Sequence, residues 1–279
     1  MKTFWIRTAS ASVYALLFIG SIYSGRLIGN EGIGVAILTL FSIFVAEGCT
    51  FEYYRMASKM GLKPNRPVGY ALVGLIALTL GLSTNDPASA FVSVALLLIA
   101  TPLLFLLQLW RNSEHPASDT IHTLIPLFYC AIPMGLMPVL HDLFNILMMC
   151  IIMVWVNDSF AYIGGSLLGK HKMWPKHSPG KTWEGTAIGV IACVLVGVFA
   201  GPLFHNDFFN STITWIVLGL VCGIFGTLGD LVESMLKRAC GIKDSGSIMP
   251  GHGGFLDRFD SLLMIIPFAF LVALFTILA

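Results

Sequence analysis

Ser234-Met-Leu-Lys-Arg-Ala-Cys-Gly-Ile-Lys-Asp-Ser-Gly-Ser-Ile-Met-Pro-Gly-His-Gly-Gly-Phe-Leu-Asp-Arg-Phe-Asp260 is a polar island in an apolar chain. It gathers Lys237, Arg238, Lys243, Asp244, His252, Asp257, Arg258 and Asp260 among closely spaced glycines. On either side lie apolar runs, about 212–236 and 256–278, each near the 20 residues that cross a bilayer as a helix. The island therefore reads as a chemical segment held at a lipid surface by the helices that flank it.

Working outward, the whole composition agrees. Of 279 residues, 56% are hydrophobic and 11% charged, with a mean hydropathy of +0.83. Soluble domains carry roughly a quarter charged residues, so this chain cannot cover itself with polar surface and its solvent is lipid. The net charge of +1 says nothing about nucleic acid, because the charges are clustered rather than spread over one basic face, and no nucleic-acid partner is expected. Six cysteines lie scattered with no CxxC spacing, which argues against a zinc site or a disulfide framework and for buried free thiols. The basic N-terminus resembles a signal peptide. No small-residue cleavage site stands out, and the segment from Ala11 reads as a retained first span.

We read nine spans, at about 11–28, 32–51, 68–84, 88–110, 120–140, 142–165, 184–205, 212–236 and 256–278, with short turns near Asn30 and His141. The fold class is all-α, a polytopic integral membrane protein. Residues 1–140 form an N-terminal transmembrane region (spans 1–5), and 141–279 a catalytic transmembrane region (spans 6–9) with cytoplasmic loops. With the N-terminus cytoplasmic, every Lys and Arg except Arg26 falls on the inner face. Cytoplasmic loops carry that excess, so the N-terminus is placed inside and the C-terminus outside. Gly219 and Gly223 form a GxxxG pair, followed by Gly226 and Gly229. They read as close helix packing.

Acidic residues within spans cost about 2.5–3.5 kcal/mol near the bilayer centre and are functional candidates by default. Glu47, with Glu52 and Arg55, sits near the inner end of span 2 and reads as a snorkelling or local ion-pair group. Asp158 shares a helical face with Tyr162 and Gly165 and is weighed evenly between structural pairing and function. Asp230 is sharper: positions 230, 233, 234, 237 and 238 make one stripe running from acid to base. An acid below two cations suits a metal ion and an anionic ligand sharing a site.

Two loops carry the remaining polarity. In Lys170–Gly185, Gly180-Lys181-Thr182 suggests a Walker A loop, but that motif needs Gly five residues before Gly180, where Pro175 stands. Ser178, Lys181 and Thr182 instead bring hydroxyls, a cation and free helix N–H groups together at the start of span 7, an arrangement that favours phosphate. In the island, Asp257 and Asp260 begin span 9 on one face. Asp230 and Asp257, from separate helices, read as a pair able to bracket a hard cation such as Mg²⁺ with phosphate oxygens completing its shell. His252 is a poor partner for that ion and reads as a phosphate or loop-shaping group.

At these residues the sequence resembles the phosphatidate cytidylyltransferases (CDP-diacylglycerol synthases). Ser234, Lys237, Arg238, Lys243, Asp244, Gly246, Pro250, His252, Gly253, Gly254, Asp257, Arg258 and Asp260 fill the polar and small positions of that family's C-terminal signature. One position departs from the strict pattern: Met249 stands in the large apolar slot before Pro250. The likeness extends through Ser178–Gly185 and the Asp158 segment, roughly residues 150–279. It implies an integral membrane enzyme of the bacterial inner membrane, with its active site on the cytoplasmic side. CTP and phosphatidic acid would give CDP-diacylglycerol and pyrophosphate, with Mg²⁺ as cofactor, K⁺ as a second metal and a homodimer as a further expectation. By resemblance Asp230 and Asp257 match the metal-binding acids. Lys237, Arg238, Lys243 and Arg258 are expected to clamp phosphates, and Ser178, Lys181 and Thr182 to close over the nucleotide. Asp158, Glu184, Ser234, Asp244, His252, Gly253, Gly254 and Asp260 complete the expected substrate-binding set. Two other readings are a secondary transporter with ion-coupled intramembrane Asp residues and a CTP-dependent lipid kinase. The D-G-x2-A-R pattern of a CDP-alcohol phosphotransferase is absent.

Overall fold

The computed structural model describes residues 2–142, 144–204, 210–246 and 253–278, with side chains of 2–14, 141, 142, 144 and 145 excepted. Ten α-helices dominate it: α1 (Lys2–Ile28), α2 (Glu31–Lys59), α3 (Arg66–Leu82), α4 (Ala88–Gln108), α5 (Pro116–Pro126), α6 (Ile132–Asp142), α7 (Phe144–Leu168), α8 (Trp183–Ala200), α9 (Thr212–Ala239) and α10 (Leu256–Leu278). A π-helical turn, Leu127–Ala131, joins α5 to α6, so Pro116–Leu140 is one apolar span. Among the described residues seven helices are long and apolar enough to cross a membrane, and two shorter apolar helices cover Ala15–Ile28 and Arg66–Leu82. The protein is thus an all-α polytopic membrane protein. Large apolar side chains such as Leu98, Leu109, Phe199 and Leu203 lie on its surface, as they must where the solvent is hydrocarbon.

Local chemistry sets the helix boundaries. Gly29, at φ 74, ends α1, and the Asn30 side chain caps α2 by accepting from Ile33 N at 3.1 Å. Gly61, at φ 83, follows the end of α2. Thr182 caps α8, its hydroxyl accepting from Gly185 N at 3.2 Å. Lys237 and Arg238 occupy the last turn of α9 and Asp257 the first turn of α10, each where the helix dipole favours its charge. The turn near His141 falls between α6 and α7, at residue 143, outside the described residues.

By internal contacts the chain forms two compact units. The first comprises Met1–Asp142 and Ala239–Arg258, so much of the polar island folds with the N-terminal helices. Val73, Ile76, Leu127, Met134 and Met137 make part of its core. Tyr54, fully buried, donates to Thr123 O at 3.0 Å. Asp119, 1% exposed, ties the α2–α3 loop to α5 by accepting from Lys63 N at 2.6 Å, and it also binds the Ser113 hydroxyl.

The second unit comprises Leu143–Arg238 and Phe259–Ala279. Gly219 and Gly223 let α9 approach α8 so closely that a Cβ at either would stand 2.8 Å or less from the α8 backbone. The GxxxG pair is a packing device, and Gly226 and Gly229 serve α10 in the same way, set against Ile265 and Asp260. All six cysteines are free thiols, five of them buried. One departure from a purely helical reading is small: Lys172–Trp174 and Ser178–Thr182 pair as an antiparallel hairpin, β1–β2, in front of α8.

Candidate active site

In the second unit the α9 stripe is real and gains a partner from α10. Asp230, Glu233 and Asp260 bring carboxylate oxygens within 4.8 Å of one another. Gly229 makes this possible, since a Cβ there would lie 2.5 Å from Asp260 O. Ser234 Oγ donates to Asp230 Oδ1 at 3.2 Å, and Ser261 N to Asp260 Oδ1 at 2.6 Å. Lys237 Nζ, one turn along, meets Glu233 Oε2 at 2.5 Å, a nearly buried ion pair. Arg238 Nε donates to His177 O at 3.4 Å. Three converging carboxylates repel one another unless a cation intervenes. Their hard oxygen donors fit a divalent ion such as Mg²⁺ and not a thiolate-seeking metal.

Beside this cluster a cavity of about 500 Å³ opens in the same unit. Asp158, Ser178, Lys181, Thr182 and Asp230, separated by up to 72 positions of sequence and all read as site residues, line it together. The hairpin delivers the middle three. Glu184 pins that hairpin by accepting from Lys170 N and His171 N and by meeting His171 Nδ1 at 2.5 Å. Its carboxylate thus organises the loop. Lys181 Nζ reaches Asp230 Oδ2 at 2.8 Å and donates to Thr227 O at 3.1 Å, placing one cation where the cavity meets the acid cluster.

Among the contributors to the cavity wall that sequence reasoning missed are Asn157 and Thr227. Asn157, buried, donates through Nδ2 to Thr227 Oγ1 at 3.1 Å and so joins α7 to α9. Tyr162 stands on the same wall. The available signal was a polar side chain in each of two apolar helices, but nothing local says that the two meet.

In the first unit, Asp257 Oδ2 accepts from Ser245 N at 3.0 Å, Ser245 Oγ at 2.8 Å and Gly254 N at 2.8 Å. Gly254 is buried, and Gly253 adopts φ 80 beside the Asp257 carboxylate. Asp244 and Gly246 border a small cavity of about 90 Å³ with Arg55 and Lys59 of α2. Lys243 and Arg258 are exposed. His252 lies outside the described residues. The pair read from sequence, Asp230 with Asp257, draws its members from different units, and each has the partners given above.

The chain is similar to known proteins over most of its length. The sequence model of the Cytidylyltransferase family matches residues 5–276. A phosphatidate cytidylyltransferase of Staphylococcus haemolyticus is 33% identical over 263 residues, 94% of this chain and 96% of its own. That of Staphylococcus saprophyticus is 33% identical over 266 residues, with the same shares. A Staphylococcus aureus phosphatidate cytidylyltransferase reaches 52% identity over 118 residues, covering 42% of this chain and 44% of its own.

Proposed function

We propose residue roles for a chain that belongs to the cytidylyltransferase family. It is a phosphatidate cytidylyltransferase: CTP and phosphatidate give CDP-diacylglycerol and pyrophosphate. In chemical terms a phosphate oxygen of the lipid attacks the α-phosphorus of CTP. The new P–O bond replaces the bond from the α-phosphorus to the oxygen bridging it to the β-phosphate, and pyrophosphate leaves with that electron pair. The nucleophile is already ionised near neutral pH, so no base is needed to generate it. The barrier is the approach of two polyanions, and catalysis is positioning plus charge neutralisation.

In this reading the second-unit cavity takes the nucleotide. Its volume of about 500 Å³ lies within the range of small-molecule sites. Lys181, leaving its ion pair with Asp230 for a phosphate oxygen, would neutralise the triphosphate, while the Ser178 hydroxyl hydrogen-bonds it. Thr182 acts through the backbone by fixing the first turn of α8. Asp230, Glu233 and Asp260 would hold Mg²⁺, which when bound supplies positive charge against the phosphates. Ser234 orients Asp230, and the Glu233–Lys237 pair keeps the lower end of the cluster in place. Roles for Asp257 as a metal ligand, and for Lys243, Arg258, Asp244 and His252 toward phosphate, rest on the sequence pattern alone. In this reading the site lies on the cytoplasmic side of the bacterial inner membrane, and the Lys and Arg partition supports that side.

The observation that carries this reading is the convergence of Asp158, Ser178, Lys181, Thr182 and Asp230 on one cavity. Its test is pyrophosphate release from CTP by detergent-purified protein, with and without phosphatidate and Mg²⁺. Release is expected only with all components. Release that ignores Mg²⁺ would remove the metal from the reading, and wild-type rates in Lys181→Met would remove the cavity.

A further inference from the structure

Glu52 is a carboxyl group with no exposure at all, on a helix long and apolar enough to cross a membrane. Read from sequence it belongs with Glu47 and Arg55 to a snorkelling or local ion-pair group; in the fold it caps a helix. Its Oε1 accepts from Phe255 N at 3.0 Å, and its Oε2 accepts from Leu256 N at 2.9 Å and Ser245 Oγ at 2.7 Å. The two amides are among the N–H groups that the first turn of α10 leaves without intrahelical partners. A side chain of α2 therefore caps a helix more than 200 positions later in sequence, a task a local Ser, Thr or Asp ordinarily performs.

The surroundings are shaped to that carboxyl group. A Cβ on Gly246 would stand 2.1 Å from Glu52 Oε1, and a Cβ on Gly254 would stand 2.1 and 2.2 Å from its two oxygens. Neither position has room for a side chain. One turn earlier, Gly48 leaves space for the Phe255 ring, which packs edge-on against Phe44 at 5.2 Å between centroids. Phe44, Gly48 and Glu52 recur every four residues and make one docking stripe on α2. Ser245 Oγ lies within hydrogen-bond distance of both Glu52 and Asp257. Its single proton serves one carboxyl group at a time, so the two are linked through it.

We propose that Glu52 is the positioning residue for the two described ends of the Gly-rich segment. It fixes Ser245, Gly246 and the first turn of α10, and through Ser245 it sets the orientation of Asp257. This proposal rests on the reading that the segment's charged groups serve CTP and phosphatidate. It also accounts for two of the segment's glycines without assigning them any contact to ligand: they are the flat walls between which the carboxyl group fits.

The test uses the full-length protein, comparing Glu52→Gln with Asp119→Asn. The control removes a different buried carboxylate of the same unit, one that ties the α2–α3 loop and has no place in the reaction. Glu52→Gln offers an amide N–H₂ where donors already point. It is expected to raise the tryptic cleavage rate at exposed Lys243 by at least about tenfold, because cleavage follows the population of the opened segment. Phosphatidate-dependent kcat/KM per folded molecule should fall by a similar factor, whereas Asp119→Asn keeps wild-type values of both. Glu52→Asp, which retains charge and both acceptors, is expected to lie between Gln and wild type. Wild-type protection of Lys243 in Glu52→Gln would overturn the proposal, as would equal losses of kcat/KM in the two carboxylate variants, or Gln outperforming Asp. Should Glu52→Gln not fold, hydrogen exchange on the wild-type protein decides: Phe255 and Leu256 amides are expected to be the slowest in 241–258, and fast exchange there rejects the cap. Cleavage and exchange need no turnover, so a wild type without pyrophosphate release would reject the activity and leave the anchoring to stand on its own result.

Discussion

At the scale of single residues, three carboxylates and two ammonium groups share a small space. Asp230 and Asp260 offer oxygens to one point, and each has a donor that orients it. Asp230→Asn and Asp260→Asn are each expected to lower phosphatidate-dependent kcat by at least about a hundredfold, with unchanged elution on size exclusion showing that the fold persists. The Glu233–Lys237 pair behaves differently because both groups are largely buried. Removing one partner leaves a desolvated charge, a loss of about 3–5 kcal/mol. Glu233→Gln should therefore lower the unfolding temperature in detergent, and Glu233→Gln with Lys237→Met should recover part of it. Equal unfolding temperatures for the single and double variants would mean that the pair is not coupled.

At the scale of elements, the hairpin and the α9–α10 crossing matter most. Glu184 holds the residues just before the hairpin through the Lys170 and His171 backbone amides and the His171 ring. Glu184→Ala is expected to accelerate tryptic cleavage at Lys176 and to raise KM for CTP more than it lowers kcat, because the hairpin carries Ser178 and Lys181. Gly229 plays the matching part between helices. Gly229→Ala would force its Cβ against Asp260 O, at an overpacking cost of about 1–3 kcal/mol. A measurable fall in both unfolding temperature and kcat is the expected outcome, since the same contact aligns Asp260 with Asp230.

The stripe Asp230, Glu233, Ser234 could be read from helical spacing because all three share one helix and a fixed period. That Asp260 joins the stripe could not be read, since the approach of α10 depends on Gly229, and many glycines in a membrane helix look alike. For the same reason Asn157 and Thr227 passed as ordinary polar residues of apolar helices. Glu52, just past the end of the 32–51 span, was grouped with Glu47 and Arg55 as a snorkelling or local ion-pair set, because a carboxyl group near a span end usually reaches water; only its contacts with Ser245, Phe255 and Leu256 show it sealed in.

Across the whole molecule, the distribution of charge orients the protein in its membrane. With Arg26 the sole Lys or Arg on the outer face in the nine-span reading, the 84–88 turn is expected outside and the hairpin inside. Asn85→Cys should react with an impermeant maleimide added to intact cells, and Lys176→Cys only after permeabilisation; the reverse pattern would invert the topology and move the site away from cytoplasmic CTP.

By itself the sequence determined that lipid is the solvent, where the long apolar helices run and which polar segments are the candidates to carry the chemistry. These follow from composition, from runs of about 20 residues and from spacing within single helices, all of which are local properties. Only the tertiary structure decided which carboxylates stand together, that a hairpin carries Ser178 and Lys181 to the cavity, and that Glu52 caps α10. Each of those depends on how closely two distant backbones approach. That distance is set by glycines and buried polar contacts whose partners lie dozens to hundreds of residues away.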